Sequence, residues 1–288
     1  MSIFVDKKNT VVVQGATGHQ GVFHIGEMLS FGTKVVAGVT PGKGGQEVHR
    51  VPIFNNVGEA VDETGANTSL ILVPARFAKD AVFEALDAGI KTVVTITENI
   101  PFHDAMEFVH YAKYNDAILI GPNCPGIASP GKTKIGILPG SIFKKGTVGV
   151  ASRSGTLTYE IVNALSEKGM GQSTCVGLGG DPIIGTTFID ALDAFEQDKG
   201  TKAVVLVGEI GGTAEEDAAE HIKEHISKPV FAFIAGRTAP PGKRMGHAGA
   251  IIARGKGTAT SKIQAFKKAH VPLAQFPTDI ADLVEQHS

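Results

Sequence analysis

The chain has 288 residues, 42% of them hydrophobic, with 36 glycines and a formal net charge of −2, a balance that gives no reason to expect nucleic acid or an anionic membrane as a partner. Two cysteines, Cys124 and Cys175, supply neither a disulfide framework nor a structural zinc site. No secretory or transit segment is visible at the start and no apolar run reaches the roughly 18–20 residues of a membrane span, so a soluble, cytoplasmic protein is expected.

Short apolar runs alternate with segments of helical period along the whole chain. Thr10–Gln14, Lys34–Gly38, Ser69–Val73, Thr92–Ile96 and Ala117–Gly121 read as buried strands. Between them Val22, Ile25 and Leu29, then Phe77, Ala81 and Ala85, then Met106, Val109 and Ala112 recur at helix spacing. Residues 121–146 break this rhythm with four prolines and six glycines, and read as a linker with one small ribbon around Lys134–Leu138. The alternation then restarts. Thr147–Ala151, Ser173–Leu178, Ala203–Val207, Pro229–Ile234 and a weaker Val271–Phe276 are strand candidates, and helices carry Leu157, Phe188, Ala218 and Ile263. The pattern implies βαβ units and two consecutive doubly wound α/β domains, residues 1–122 and 146–288, joined by 123–145.

Gln14-Gly-Ala-Thr-Gly-His-Gln-Gly21 follows the first strand and opens the first helix. Its glycines at 15, 18 and 21 differ from the dinucleotide spacing G-x-G-x-x-G, yet backbone N–H groups at a helix start would receive a phosphate in the same way. An NAD site wants an acid near the end of the second strand; here Gly38-Val-Thr-Pro-Gly-Lys-Gly-Gly45 offers Lys43 instead, which suits an extra phosphate as in NADP or coenzyme A. A Walker loop is absent, since Lys256 is followed by glycine and Gly38–Lys43 is one residue short. Cys124 lies in the rigid Gly121-Pro-Asn-Cys-Pro-Gly126 with no cation beside it, which reads as a buried structural thiol.

In the second half, Ser154 is placed to cap a helix that follows a strand, offering N–H donors to a phosphoryl group or simply capping. Glu209 ends a strand beside Gly208, Gly211 and Gly212, where open α/β sheets put their sites. Thr213-Ala-Glu-Glu216 reads as a capping box, with Glu215, Glu216 and Asp217 on a wet helix face complementing the dipole. His247 stands between Gly246 and Gly249, just after Lys243 and Arg244. Imidazole free of bulky neighbours is a competent nucleophile near pH 7, so phosphoryl transfer through His247, oriented by Glu209, is the first hypothesis; the chain has 10 histidines, and a structural role is the competing one.

Together the glycine loop 15–21, Gly38–Gly45, Thr95-Ile-Thr-Glu98, Gly121–Gly126, Ser152-Arg-Ser-Gly-Thr-Leu-Thr-Tyr-Glu160, Gly208–Gly212 and Gly246–Ile252 resemble, in order and over essentially the whole chain, the α-subunits of succinyl-CoA synthetase. The resemblance implies a Rossmann-like CoA-binding domain followed by a flavodoxin-like ligase domain. It places Thr17, Gly18, His19 and Gln20 on the CoA phosphates, with Lys43 as a further contact, and Ile96, Thr97 and Glu98 along the rest of the CoA site. It assigns Tyr159 to the substrate site, His247 as the phosphorylated residue and Glu209 as its carboxylate partner. It further implies an ATP-grasp β-subunit, in an αβ or α2β2 assembly, that brings Mg²⁺ with ATP or GTP and phosphorylates His247. Phosphohistidine then passes its phosphoryl group to succinate, and CoA displaces phosphate from the succinyl phosphate; in the citric acid cycle this sequence runs backwards and makes nucleoside triphosphate. One departure is visible: the family often has serine or another small residue where His19 stands, which a backbone contact would survive and a hydroxyl contact would not. Two other readings fit the residues, an α-subunit of a related ligase such as one for malate, and a non-catalytic CoA- or dinucleotide-binding module.

Overall fold

Burial on both faces explains the first strand. In the computed structural model, which describes residues 2–240, 242–253 and 255–287, β1 (Thr10–Gln14) carries Val11, Val12 and Val13 fully buried. β-Branched side chains pack well on a pleated surface covered from above and below. The chain then gives α1 (His19–Phe31), β2 (Lys34–Val39), β3 (Glu47–Val48), β4 (Val51–Phe54), α2 (Val57–Thr64), β5 (Thr68–Ile71), α3 (Ala75–Asp87), β6 (Thr92–Thr95), α4 (Phe102–Tyr114) and β7 (Ile118–Ile120). Their sheet runs β3-β4-β2-β1-β5-β6-β7. Every pairing in it is parallel except the β3–β4 edge. These elements belong to one compact unit, Phe4–Gly140 with Ile183–Gly185.

Sequence periodicity passes over β3, β4 and α2, and the reasons are local. β4 is four residues long and contains Pro52, which sits on the antiparallel edge pair Glu47–Pro52. α2 has only Val57 and Ala60 to bury; its boundaries come from Asn56, whose side chain accepts from Glu59 N at 2.8 Å, and from Gly65 at its C-terminus. Within 121–146 the chain forms β8 (Gly126–Ser129) paired antiparallel with β9 (Thr133–Gly136), so the ribbon lies a few residues before the expected Lys134–Leu138.

The second unit holds Ser141–Pro182, the chain from Thr186 onward, and the first residues of the chain, where Ile3 N donates to Thr174 Oγ1 at 3.3 Å. In it β10 (Lys145–Ser152), α5 (Gly155–Glu167), β11 (Gln172–Gly177), α6 (Phe188–Gln197), β12 (Ala203–Glu209), α7 (Ala214–His225) and β13 (Val230–Ala235) alternate without exception, followed by α8 (Ala259–Lys268) and α9 (Asp279–Gln286). The parallel strands run β13-β12-β10-β11. Val150, Val205, Val207 and Phe231 form the core of this sheet with Ile161, Leu165 and Ile280 from the covering helices.

The expected strand Val271–Phe276 does not form. It makes one isolated bridge, with Ala232 N donating to Pro272 O and Ala274 N to Ala232 O, both at 2.9 Å. Pro272 has no N–H to extend the ladder, and Phe276 N is taken by the Asp279 carboxylate at 2.8 Å. α9, which the periodicity also passes over, buries Ile280, Ala281 and Val284 on one face of only eight residues.

Candidate active site

Two sets of loops gather at the carboxyl ends of the parallel strands, one set in each unit. In the first unit, Gln14 ends β1 buried, its amide donating to Ser69 Oγ (3.0 Å) and Ala81 O (2.8 Å). Gly15 then turns the chain at φ +84°, a conformation that favours glycine, and α1 starts at His19. A Cβ at Gly21 would lie 2.2 Å from Gly15 O, so the loop closes tightly on the helix start. Among the described residues no side chain caps α1. Its first N–H groups therefore have neither an intrahelical nor a capping acceptor, the condition for receiving an anion.

The other residues expected to contact CoA come from neighbouring strand ends. Thr17 is tied to the end of β2, its N and Oγ1 lying 3.3 and 3.2 Å from Thr40 Oγ1. Lys43 is exposed on a turn that Asn55 holds, its Oδ1 accepting from Gly42 N (3.0 Å) and Gly44 N (3.1 Å). Ile96 and Thr97 follow β6 half-buried, with Thr97 Oγ1 donating to Val73 O at 2.7 Å, and Glu98 is exposed. Gly18, His19 and Gln20 are exposed, and the Gln20 side chain reaches His24 Nε2 at 3.2 Å. Cys124 is buried, and desolvation pushes its thiol up to about 12, which leaves it unreactive.

The second unit assembles a more specific arrangement. Glu209 is the last residue of β12, and His247 lies in the loop that follows β13. His247 Nδ1 lies 2.9 Å from Glu209 Oε1 and 3.0 Å from Oε2. An ionised carboxylate only accepts, so Nδ1 carries the proton and the Nε2 lone pair is the one left for chemistry. The Glu209 side chain is 8% exposed and that of His247 27%. The pair is thus shielded, yet the ring keeps an open edge. The turn is fixed by its own backbone, with Ala250 N donating to His247 O (3.1 Å) and Met245 N to Ala250 O (2.9 Å).

The Glu209 hydrogen bond is the largest influence on the imidazole and raises its pKa. Burial works against it, the Glu209 and Asp181 charges add to it, and Arg153 opposes it; the outcome is a histidine above its ordinary 6.5.

Behind this pair lies a buried charge network that the sequence reading puts in the wrong place. Glu215 is fully buried rather than on a wet face. It binds Arg153 Nη1 through Oε1 at 2.9 Å and Lys262 through Oε2, and the same Oε1 accepts from Glu209 N at 3.0 Å. Lys262 is itself fully buried and also reaches Glu216 (2.8 Å) and Gly212 O (3.0 Å). The expected capping box does not form: the Thr213 hydroxyl meets Asp217 at 3.1 Å, and among the described residues no side chain caps α7. The carboxylates are drawn inward because two buried cations need them.

A helical count marks both positions as inward-facing. Glu215 shares the face of Ala218, Ala219 and Ile222, which are buried, and Lys262 shares that of Ala259 and Phe266. Gly180, after β11, is another residue without a sequence clue: a Cβ there would lie 2.2 Å from His247 Cγ. Ser154 does cap α5, accepting from Leu157 N at 3.4 Å, and Tyr159 is half-buried on the first turns of that helix.

Residues 6–99 match the CoA binding domain family, and residues 151–271 the CoA-ligase family. The chain is 61% identical to the succinate–CoA ligase [ADP-forming] subunit alpha 2 of Archaeoglobus fulgidus over 99% of both chains. It is 57% identical to the corresponding alpha subunit of Aquifex aeolicus, over 99% of this chain and 94% of that one. Among solved structures, the ATP citrate lyase of Methanothrix soehngenii in complex with citrate and coenzyme A superposes with a TM-score of 0.91 at 26% identity, over 99% of this chain. The chain spans about half the length of that protein.

Proposed function

The chain belongs to the succinate–CoA ligase alpha-subunit family, and from that premise we propose that His247 carries the phosphoryl group between a nucleotide and succinate. The protein is the alpha subunit of an acid–thiol ligase that takes CoA as a substrate. The observation that carries the assignment of His247 is the Nδ1–Glu209 hydrogen bond, which fixes one tautomer and leaves Nε2 as the nucleophile.

Nε2 attacks the terminal phosphorus of ATP, forming the N–P bond as ADP leaves with the electrons of the broken P–O bond. Glu209 stabilises the positive charge that develops on the ring. A succinate carboxylate oxygen then attacks the phosphorus, and His247 departs as neutral imidazole. The CoA sulfur attacks the acyl carbon of succinyl phosphate and expels phosphate, which takes up the thiol proton. Over the cycle ATP, succinate and CoA become ADP, phosphate and succinyl-CoA, and every step is reversible.

CoA binding is assigned to residues 1–122, its phosphates on Thr17, Gly18, His19 and Gln20 at the start of α1, with Lys43 adding charge and Ile96, Thr97 and Glu98 lining the remainder. The relay is assigned to 146–288, with 123–145 between them and Tyr159 toward the succinate. The relatives' names support ATP as the nucleotide and a beta subunit as partner; that subunit, of the ATP-grasp class, would hold Mg²⁺ and ATP. The absence of a Walker sequence in this chain is in keeping with that division. We place the enzyme in the cytoplasm; among the described residues no helix is long and apolar enough to cross a membrane.

The test is phosphate mapping. Incubated with the beta subunit, Mg²⁺ and ATP, the chain should acquire an acid-labile, base-stable phosphate on His247, lost in His247→Ala and discharged by succinate with CoA. A stable phosphoserine, or undiminished turnover in His247→Ala, overturns the assignment. Discharge by malate but not succinate would move the substrate.

A further inference from the structure

We propose that Arg153 is a positioning residue for the relay, its guanidinium bridging the buried Glu215 to Glu209 and so fixing the carboxylate that holds His247. The proposal rests on reading His247 as the phosphorylated residue, although its structural half is testable without that reading.

Arg153 directly follows β10, and its backbone N donates to Val207 O at 3.0 Å, which sets its Cα against β12. Its two terminal nitrogens divide the work. Nη1 donates to Glu215 Oε1 (2.9 Å) and Gly211 O (3.2 Å); Nη2 lies 3.6 Å from Glu209 Oε1. Glu215 Oε1 also accepts the backbone N–H of Glu209. Glu209 is therefore held from both ends by one guanidinium–carboxylate unit, its main chain by Glu215 and its side chain by Arg153. A Cβ at Gly249 would come within 3.0 Å of Nη2, so the small residue two positions after His247 leaves room for the guanidinium beside the loop.

The bridge is built to stay charged. Burial alone would pull the Arg153 guanidinium down, but Glu215 and Glu209 outweigh it and hold the group above its ordinary value. Lys262 occupies the other oxygen of Glu215, so Glu215 does not have to turn toward the relay. Lysine in place of Arg153 keeps the charge but gathers its donors on one nitrogen, and so loses the two separate nitrogens, Nη1 and Nη2, that reach Glu215 and Glu209 here.

A bystander and a positioning residue predict opposite shifts. The charged groups facing the His247 ring are Glu209 from the end of β12, Arg153 after β10 and Asp181 after β11, with Arg244 of its own loop reaching the His247 carbonyl at 3.4 Å. As a nearby cation alone, Arg153 opposes the imidazolium, and its removal would move the His247 titration midpoint up. If instead it holds Glu209 in place, its removal weakens the hydrogen bond that dominates the midpoint, which then moves down toward the ordinary imidazole value.

The experiment follows His247 in the full chain by NMR with labelled histidine, in wild type, Arg153→Lys and the double variant Arg153→Met/Glu215→Gln. The double variant removes both charges of the Arg153–Glu215 pair, and Lys262 keeps Glu216 and Gly212 O as partners. Both variants should show a lower midpoint and loss of the downfield Nδ1–H resonance. In complex with the beta subunit, each should phosphorylate His247 about 10- to 100-fold more slowly, the scale of a misplaced reacting group. A midpoint that stays put or rises in both variants overturns the role of Arg153. If wild type itself takes no phosphate, the relay reading fails instead, and the titration still decides whether Arg153 positions Glu209.

Discussion

Replacing Glu209 tests the relay at its most informative contact. Glu209 is nearly buried and places both oxygens within 3.0 Å of His247 Nδ1. A hydrogen bond to a charged group contributes about 1.5–3 kcal/mol, roughly twice a neutral one. Glu209→Gln keeps an acceptor and loses the charge, so about 1–1.5 kcal/mol of stabilisation of the cationic ring should go, about tenfold in the phosphorylation rate. Glu209→Ala removes the acceptor as well and should cost about a hundredfold. The pH dependence should move the other way. Glu209 raises the His247 pKa, so without its charge the midpoint falls and more of the ring is neutral in mild acid. The acid limb of the rate profile should therefore shift to lower pH in Glu209→Gln even as the plateau drops. The assay is single-turnover transfer of labelled terminal phosphate in the complex with the beta subunit, measured across pH 5 to 9. A Glu209→Gln variant that reaches the wild-type plateau, or whose acid limb moves to higher pH, would refute the orienting role.

Gly180→Ala should fold normally yet lose most His247 phosphorylation, because its Cβ would stand 2.2 Å from His247 Cγ; a wild-type rate would show that the ring does not need that wall. Lys43→Ala should weaken CoA binding a fewfold at low salt and hardly at all at high salt, as an exposed charge does, and a calorimetric Kd unchanged at low salt would remove Lys43 from the site. Lys262→Met should cost about 3 kcal/mol in denaturant unfolding, the lower end for breaking a buried ion pair, since Arg153 still satisfies part of Glu215; a neutral result would mean that the network does not depend on Lys262. Since the His247 pKa is raised on folding, the ionised pair adds stability that is fully present below the ordinary 6.5 and is lost as pH rises through the folded value. Unfolding of wild type against His247→Ala should therefore converge at alkaline pH, and a gap that widened there would contradict the ion pair.

Much of this organisation is legible in the sequence because buried parallel strands are written as uninterrupted apolar runs and their covering helices as 3.6-residue stripes. The parts that escape are those where one element is too short to carry a period, such as α2 and α9, or where proline ends a ladder, as at Pro272. Glu209 and His247 are legible separately, one at a strand end and one among glycines; that they meet is a matter of strand order. β12 and β13 are neighbours, so the residue that ends one strand and the loop that leaves the other share an edge. The acidic run Glu215-Glu216-Asp217 misleads for a different reason. Charge at a helix start ordinarily complements the dipole in water, and only the phase of Glu215 against Ala218, Ala219 and Ile222 shows that it points into the core.

That phase also sets the charge behind the proposed relay. Arg153 and Lys262 face Glu209, Glu215 and Glu216, so the cluster behind His247 already holds one more carboxylate than cation before any phosphoryl group arrives. In the proposed relay, Nδ1 keeps its proton as Nε2 takes on phosphorus, so the ring itself turns cationic and offsets that excess carboxylate, while the negative charge of the phosphoryl oxygens lies on the open side of the ring, away from Glu209. On that proposal the ring becomes cationic when its bond to phosphorus forms and returns to neutral when that bond breaks, with Glu209 supplying the counter-charge in place. Because Glu209 is already held against the ring by Arg153 and by its own backbone bond to Glu215, the counter-charge is in position before the proposed transfer in either direction, the pre-organisation that lowers the cost of moving charge.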